Sequence, residues 1–145
     1  MVSLSAEPAG AGAASALDRA SCLALLGSQP FGRVVFTQRA LPAVLPVGFL
    51  LHDSGVLLRI GPGSELAAVA DGAVVAFQVD RLDPEAHDGW SVTVVGRAEQ
   101  VSDPALRVRV QAELAPWADG ARDSVVRISL EQVTGRRLIP GPSDQ

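Results

Sequence analysis

From Phe31 onward the chain alternates short β-branched and apolar runs with Gly, Pro and Asp, which is how consecutive antiparallel strands read. The first predicted strand is Gly32 to Thr37. After a Gln38-Arg39-Ala40 turn, Pro42 to Leu51 makes a second, and its Pro46 and Gly48 call for a bulge or an edge, because proline gives a ladder no N–H. His52-Asp53-Ser54-Gly55 is a turn into Val56 to Ile60, a tight hairpin. Ala73 to Asp80 is a fourth strand, Arg81 to Gly89 a polar loop and Trp90 to Val101 a long fifth strand, with Val125 to Ile128 and Val133 to Leu138 as the last pieces.

Three segments carry helical signals instead. Ser15 and Asp18 have the form of a capping box ahead of Leu17, Ala20, Leu23, Ala24 and Leu26, closed by Gly27. Glu65 to Ala70 follows a cap at Ser64 or Gly63 and stops at Asp71-Gly72, and Asp103-Pro104 opens a helix running to about Leu114. Pro116 to Gly120 reads as a loop. Met1 to Ala14 is rich in Ala, Gly, Ser and Pro, so it is expected to be a flexible tail, as is 141–145, leaving 15–140 as a single domain. Six or seven strands with three short helices in the connections predict a mostly β (α+β) fold, a small antiparallel barrel that closes to remove its edges.

A chain of 145 residues has room for one core. All 12 basic residues are Arg, which excludes a lysine Schiff base and a Walker-type phosphate loop. Cys22 is the only cysteine and His52 and His87 the only histidines, so neither an internal disulfide nor a zinc site of the usual Cys/His types can form, and no metal is expected. Sixteen acidic residues outnumber the arginines and only Arg136 and Arg137 cluster beside a glycine, which argues against a nucleic-acid partner. The longest apolar stretch, Ala43 to Leu51, is far below the ~20 residues of a membrane helix, and the N-terminus has no secretory pattern. The expected setting is cytoplasmic, with no membrane partner.

Conventional catalysts are scarce. No serine sits in a G-x-S-x-G elbow and neither histidine has a patterned nucleophile. His52 lies in a turn, His87 beside Asp88 in a loop where it is either exposed or a proton donor at a pocket rim, and Cys22 reads as a small buried residue. Arg59-Ile60-Gly61-Pro62-Gly63-Ser64 is more informative, because it sets a cation at a strand end and then backbone N–H groups and a hydroxyl at a helix start. Those are ingredients for holding a phosphate, and also those of an ordinary strand-to-helix turn.

The order of these segments resembles the FMN-binding split-barrel family, the pyridoxamine 5′-phosphate oxidase-like proteins, and in particular its short bacterial, nitroimidazole-resistance-type branch. The matching runs are Gly32 to Phe36, Leu41 to Phe49, Leu58 to Leu66, Gly89 to Ala98 through Trp90-Ser91-Val92, and Val133 to Arg137. The resemblance implies a homodimer with a flavin at each end of the interface. Arg59, Ile60, Ser64, Glu65 and Leu66 would face ribityl and phosphate; Pro46, Val47, Gly48 and Phe49 would line the isoalloxazine; Trp90 and Ser91 would border the pocket.

It also implies an FMN-dependent oxidoreductase that passes electrons from a nicotinamide cofactor to a small planar substrate such as a quinone or nitro compound. Two positions depart from the family, which usually has Thr where this chain has Ile60 and Lys near where it has Glu65. Arg136 or Arg137 could substitute in the phosphate clamp. The alternative is a non-catalytic sensor or carrier barrel that has lost FMN, or one that binds F420 or haem instead. Trp90 could equally be a packing residue of a dimer core. Pyridoxamine phosphate oxidation itself finds no match, because the substrate-phosphate residues of the authentic oxidase are missing.

Overall fold

The computed structural model describes residues 14–61, 63–115 and 123–139. Eleven elements follow in chain order: β1 (Ala14–Ala16), α1 (Arg19–Leu26), β2 (Phe31–Gln38), β3 (Leu41–His52), β4 (Gly55–Ile60), α2 (Glu65–Val69), β5 (Asp71–Asp83), β6 (Asp88–Gln100), α3 (Pro104–Glu113), β7 (Ser124–Ile128) and β8 (Gln132–Leu138). All strand pairings are antiparallel, in the order β1-β8-β6-β5-β2-β3-β4-β7, and a further β6–β7 pairing closes six of the strands into a barrel. The expected split barrel is therefore present, with β8 and the short β1 carried outside the ring on β6.

The split arises because β6 has two partners on the edge away from β5. Its Gly89 to Val95 half pairs with β8, whereas Ala98 to Gln100 pairs with β7. At the fork the Arg97 N–H donates to Ser129 Oγ (2.9 Å) and Glu131 Oε2 (3.0 Å). Ser129 Oγ in turn donates to the same Glu131 oxygen (2.6 Å). Gly96 is required there, since a Cβ would overlap the Ser129 carbonyl.

Strand alternation sets the core. Val34, Phe36, Val47, Phe49, Val75, Phe77, Val79, Val92 and Val94 point inward, and the Phe49 and Phe77 rings meet edge-to-face at 4.9 Å. α1 closes one side of the extension with Cys22 and Leu26, one turn apart. Gly135 has no side chain where the Cys22 sulfur comes in. α3 carries Leu106, Val110 and Leu114 at four-residue spacing, and lays them on Leu57, Val101 and Val125 of the outer wall.

Several expectations need correcting at the element ends. Ser15 lies in β1 and does not cap α1; Asp18 does, accepting from the Ser21 N–H at 2.7 Å. Ser15 was a plausible cap by type, but its backbone is claimed by β8 through the Ser15↔Arg137 pair. Most of the polar loop from Arg81 to Gly89 is hairpin, with Arg81↔Trp90 and Asp83↔Asp88 paired, because the register of β5 and β6 continues through polar residues. The helices at Glu65 and Pro104 form with the expected caps, Ser64 and Asp103. The tails expected at 1–14 and 141–145 and the loop at 116–120 lie outside the described residues, apart from Ala14 in β1.

Candidate functional site

β3 pairs with β2 from Leu41 to Gly48 but with β4 only from Phe49 to His52. The β3–β4 ladder stops at Phe49↔Leu58, while β4 stays on β7 through Ile60. The result is an opening in the barrel wall in the sense of a gap in its hydrogen bonding. One lip is the β3 edge from Leu41 to Gly48. The other is the end of β4, the turn after it and the start of α2.

The chemistry of the β3 lip follows from parity. The Phe49 N–H donates to the Pro30 carbonyl (3.3 Å), which makes Phe31↔Gly48 a non-hydrogen-bonded pair. By the two-residue period, Pro42, Val44, Pro46 and Gly48 turn their carbonyls away from β2, the first three into the gap and that of Gly48 toward Arg59 at the last rung of the β3–β4 ladder. Of these four only Val44 and Gly48 have an N–H to turn with them. An edge so short of donors resists pairing with another strand, yet still offers acceptors beside an N–H at Gly48. Pro46 thus marks an edge, one of the two expected outcomes.

The facing lip holds Arg59, Ile60, Ser64, Glu65 and Leu66, so the fold gathers nine sequence-predicted residues around one opening. Their side chains are already occupied. Arg59 lies on the outer face of β4 beneath α3, where its Nε donates to Asp123 Oδ2 (2.8 Å) and its Nη1 to the Gln111 (3.0 Å) and Leu114 (2.7 Å) carbonyls. It is an ion-pair partner and a cap for the C-terminal end of α3, with a side chain 9% exposed. Ile60 and Leu66 are buried in the barrel core. Ser64 Oγ accepts from the Leu66 N–H (3.3 Å) as the α2 cap. Glu65 is exposed, and the Gln38 amide, in the orientation that satisfies both groups, donates to its Oε2 at 2.7 Å and its Oε1 at 3.2 Å.

The other four predicted residues form a separate cluster. Trp90 pairs with Arg137 and Ser91 with Arg136 across β6 and β8. Trp90 is buried in the core cluster that also holds Cys22 of α1. Measured along the wall, three strand spacings of about 4.8 Å separate Ser91 from β3. Between the clusters lies an outer face that sequence reading did not single out. Val44, Val35, Ala76 and Val95 run directly across four strands, flanked by Pro46, Arg33, Gln78 and Thr93. Phe31 (69%), Val44 (61%) and Val74 (58%) are exposed there. The available signal was that β2 carries apolar residues on both faces, Val34 inward and Val35 outward.

Elsewhere the candidates are inert. His52 Nδ1 accepts from the Ser54 N–H (3.0 Å) and lies 2.7 Å from Ser54 Oγ, closing its own turn. His87 is exposed on the β5–β6 turn. Burial pushes the Cys22 thiol up, with the Asp18 charge adding to it, which makes it a poor nucleophile. Among the described residues no cluster of metal-ligating side chains occurs, and no helix is long and apolar enough to cross a membrane.

Comparison with known proteins agrees with this architecture. Residues 18–137 match the model of the pyridoxamine 5′-phosphate oxidase family. An uncharacterized protein of Mycobacterium tuberculosis is 44% identical over 139 residues, covering 92% of this chain and 91% of the relative. Among solved structures, the FAD binding protein from Mycobacterium smegmatis is 34% identical and superposes with a TM-score of 0.72, covering 86% of this chain and 97% of that one. The FAD and heme binding protein from the same organism, 21% identical with a TM-score of 0.71 over 91% of this chain and 76% of that one, shares the fold. The forked β6, the opened β3 edge and the match along nearly the whole described chain lead to one conclusion: this protein belongs to the pyridoxamine 5′-phosphate oxidase family.

Proposed function

We propose that this chain binds a flavin, with the pyrimidine edge of the isoalloxazine ring seated on the β3 lip, and that it works as a homodimer passing electrons from a nicotinamide cofactor to a small planar acceptor. The observation that carries the reading is the β3 edge at Pro46 to Gly48. It offers carbonyl oxygens and the Gly48 N–H to a ring edge that itself alternates carbonyls with an imide N–H. When bound, a flavin supplies the redox chemistry. This chain's residues then need only hold the ring and keep water from it, for which Val47 and Phe49 are buried directly behind the lip. That suits a chain whose cysteine is buried and whose two histidines lie on turns away from the lip. The family and the FAD binding relative support a flavin in either its mononucleotide or its dinucleotide form.

The exposed stripe of Phe31, Val35, Val44 and Val74 supports a second copy as its cover. The row Val44-Val35-Ala76-Val95, with Phe31 and Val74 exposed nearby, is an apolar patch of a kind unusual on a monomer. Pairing through this face would also bring the Trp90, Ser91, Arg136 and Arg137 cluster of one copy toward the β3 lip of the other. The fit is uneven, however. The ring side offers partners, whereas Arg59, the cation expected to clamp a phosphate, is engaged within the fold and Ser64 Oγ accepts as the α2 cap. That observation favours, as a second reading, a barrel that has given up its flavin.

Titration of the purified protein with FAD, FMN, F420 and haem, followed by flavin fluorescence and by absorbance, separates the two. Saturable binding of a flavin at micromolar affinity or tighter, in a particle of twice the 15.0 kDa chain mass by light scattering, is the expected result. Binding of none of them overturns the flavin reading. Saturable binding to haem alone moves the chain to the carrier class.

A further inference from the structure

We propose that this chain holds its flavin without a phosphate anchor at the β4–α2 turn, and that Glu65 makes the turn selective against a phosphomonoester, so that riboflavin and FAD bind at least as tightly as FMN. The inference rests on the flavin reading and concerns the phosphate side of the same opening.

Three groups could serve a phosphate there, and the one cation among them is committed. The Arg59 fork spans a carboxylate and two helix-end carbonyls. Turning it to an anion would break its ion pair with the Asp123 carboxylate, whose side chain is 0% exposed, and uncap α3. Ser64 Oγ accepts from the Leu66 N–H as the α2 cap, which leaves only a neutral O–H to donate. α2 has five residues, too short for its end to present an appreciable dipole. The exposed charge at the turn is negative. Glu65 stands in the first turn of α2, held by the Gln38 amide at the β2 end next to Leu41, where the open β3 edge begins.

A terminal phosphate carries close to two negative charges, the esterified phosphates of FAD one each, and riboflavin none. Coulomb repulsion from one carboxylate at ~5 Å through water therefore weakens the monoester by roughly tenfold or more and leaves riboflavin untouched. FAD spreads the same two charges over two phosphates, so that the nearer one meets about half the repulsion.

The test compares riboflavin, FMN and FAD by fluorescence titration at low salt on the wild type and on Glu65→Lys, a surface change that leaves the core intact. Glu65→Gln, which removes the charge alone, and Arg59→Gln, with its melting temperature recorded, complete the set. The expected wild-type order puts FMN no tighter than riboflavin. Glu65→Gln should tighten FMN about tenfold and Glu65→Lys, which reverses the charge, by more than that, with riboflavin changing less than twofold in both and the gains shrinking as salt is raised. Arg59→Gln should lower the melting temperature and leave the ratio of riboflavin to FMN affinity unchanged. A wild type that binds FMN tenfold tighter than riboflavin, or a Glu65→Lys gain below threefold, overturns the proposal while leaving the flavin reading standing. No binding of any flavin by either protein overturns both.

Discussion

Two stretches of the same barrel wall have opposite fates. In β4 every residue is buried, Val56, Leu58 and Ile60 by the core and Leu57 and Arg59 by α3 on the outside. In β2 and the first half of β3 only the inward side chains are covered, and Phe31, Val35 and Val44 stand in the open. Both stretches carry apolar residues outward. The difference is that the chain supplies its own cover for one, latched by Arg59 and Asp123, and none among the described residues for the other. A self-covered wall is where stability resides; an uncovered one is where a second copy and a ring can dock.

The largest effect is expected on the covered side. Asp123→Ala leaves the Arg59 charge buried without its carboxylate, and urea unfolding should show a loss of about 3–5 kcal/mol. Replacing both partners by apolar residues of similar volume should recover most of it. Leu57→Ala, which hollows the cluster under α3, should cost about 2–4 kcal/mol. Val35→Ala, an equally apolar position on the open wall, should cost the monomer less than about 0.5 kcal/mol. Equal losses at Leu57 and Val35 would erase the contrast. Val35→Arg should leave folding nearly intact but halve the mass seen by light scattering, because it places a charge in the centre of the apolar row.

The smallest effect belongs to the fork. The Ser129 hydroxyl, and after it the Arg97 N–H, hold the Glu131 carboxyl below its ordinary 4.5. Its folded value lies below its unfolded one, so its contribution is present above about pH 4.5 and is lost as the pH falls through the folded value. A melting curve series from pH 6 to pH 3 should show a slightly shallower acid slope in Glu131→Gln than in the wild type.

Most of the fold was legible because its signals are local. Asp103-Pro104 announces α3, Ser64 caps α2, and Pro46 demands an edge whose position the β2 register confirms. The site was legible only as a set of residues. That Pro46 to Phe49 and Arg59 to Leu66 border one opening depends on where the β3–β4 ladder stops, a tertiary fact. Arg59 looked like a phosphate ligand because its partner Asp123 lies 64 residues away, beyond any local pattern. Ser15 failed as a cap for the same reason, its backbone being claimed by β8. The outer apolar row is invisible until four strands are aligned in register.

The account's central claim is that the β3 lip seats the ring, and backbone amide resonances test it most directly. In a protein labelled with ¹⁵N and titrated with FAD, the Gly48 amide and its neighbours from Val44 to Phe49 should shift most and gain protection from exchange. The Leu57 and Val125 amides beneath α3 should hold still. Saturable binding that leaves Val44 to Phe49 unmoved would contradict the claim, and would place the flavin elsewhere on the barrel.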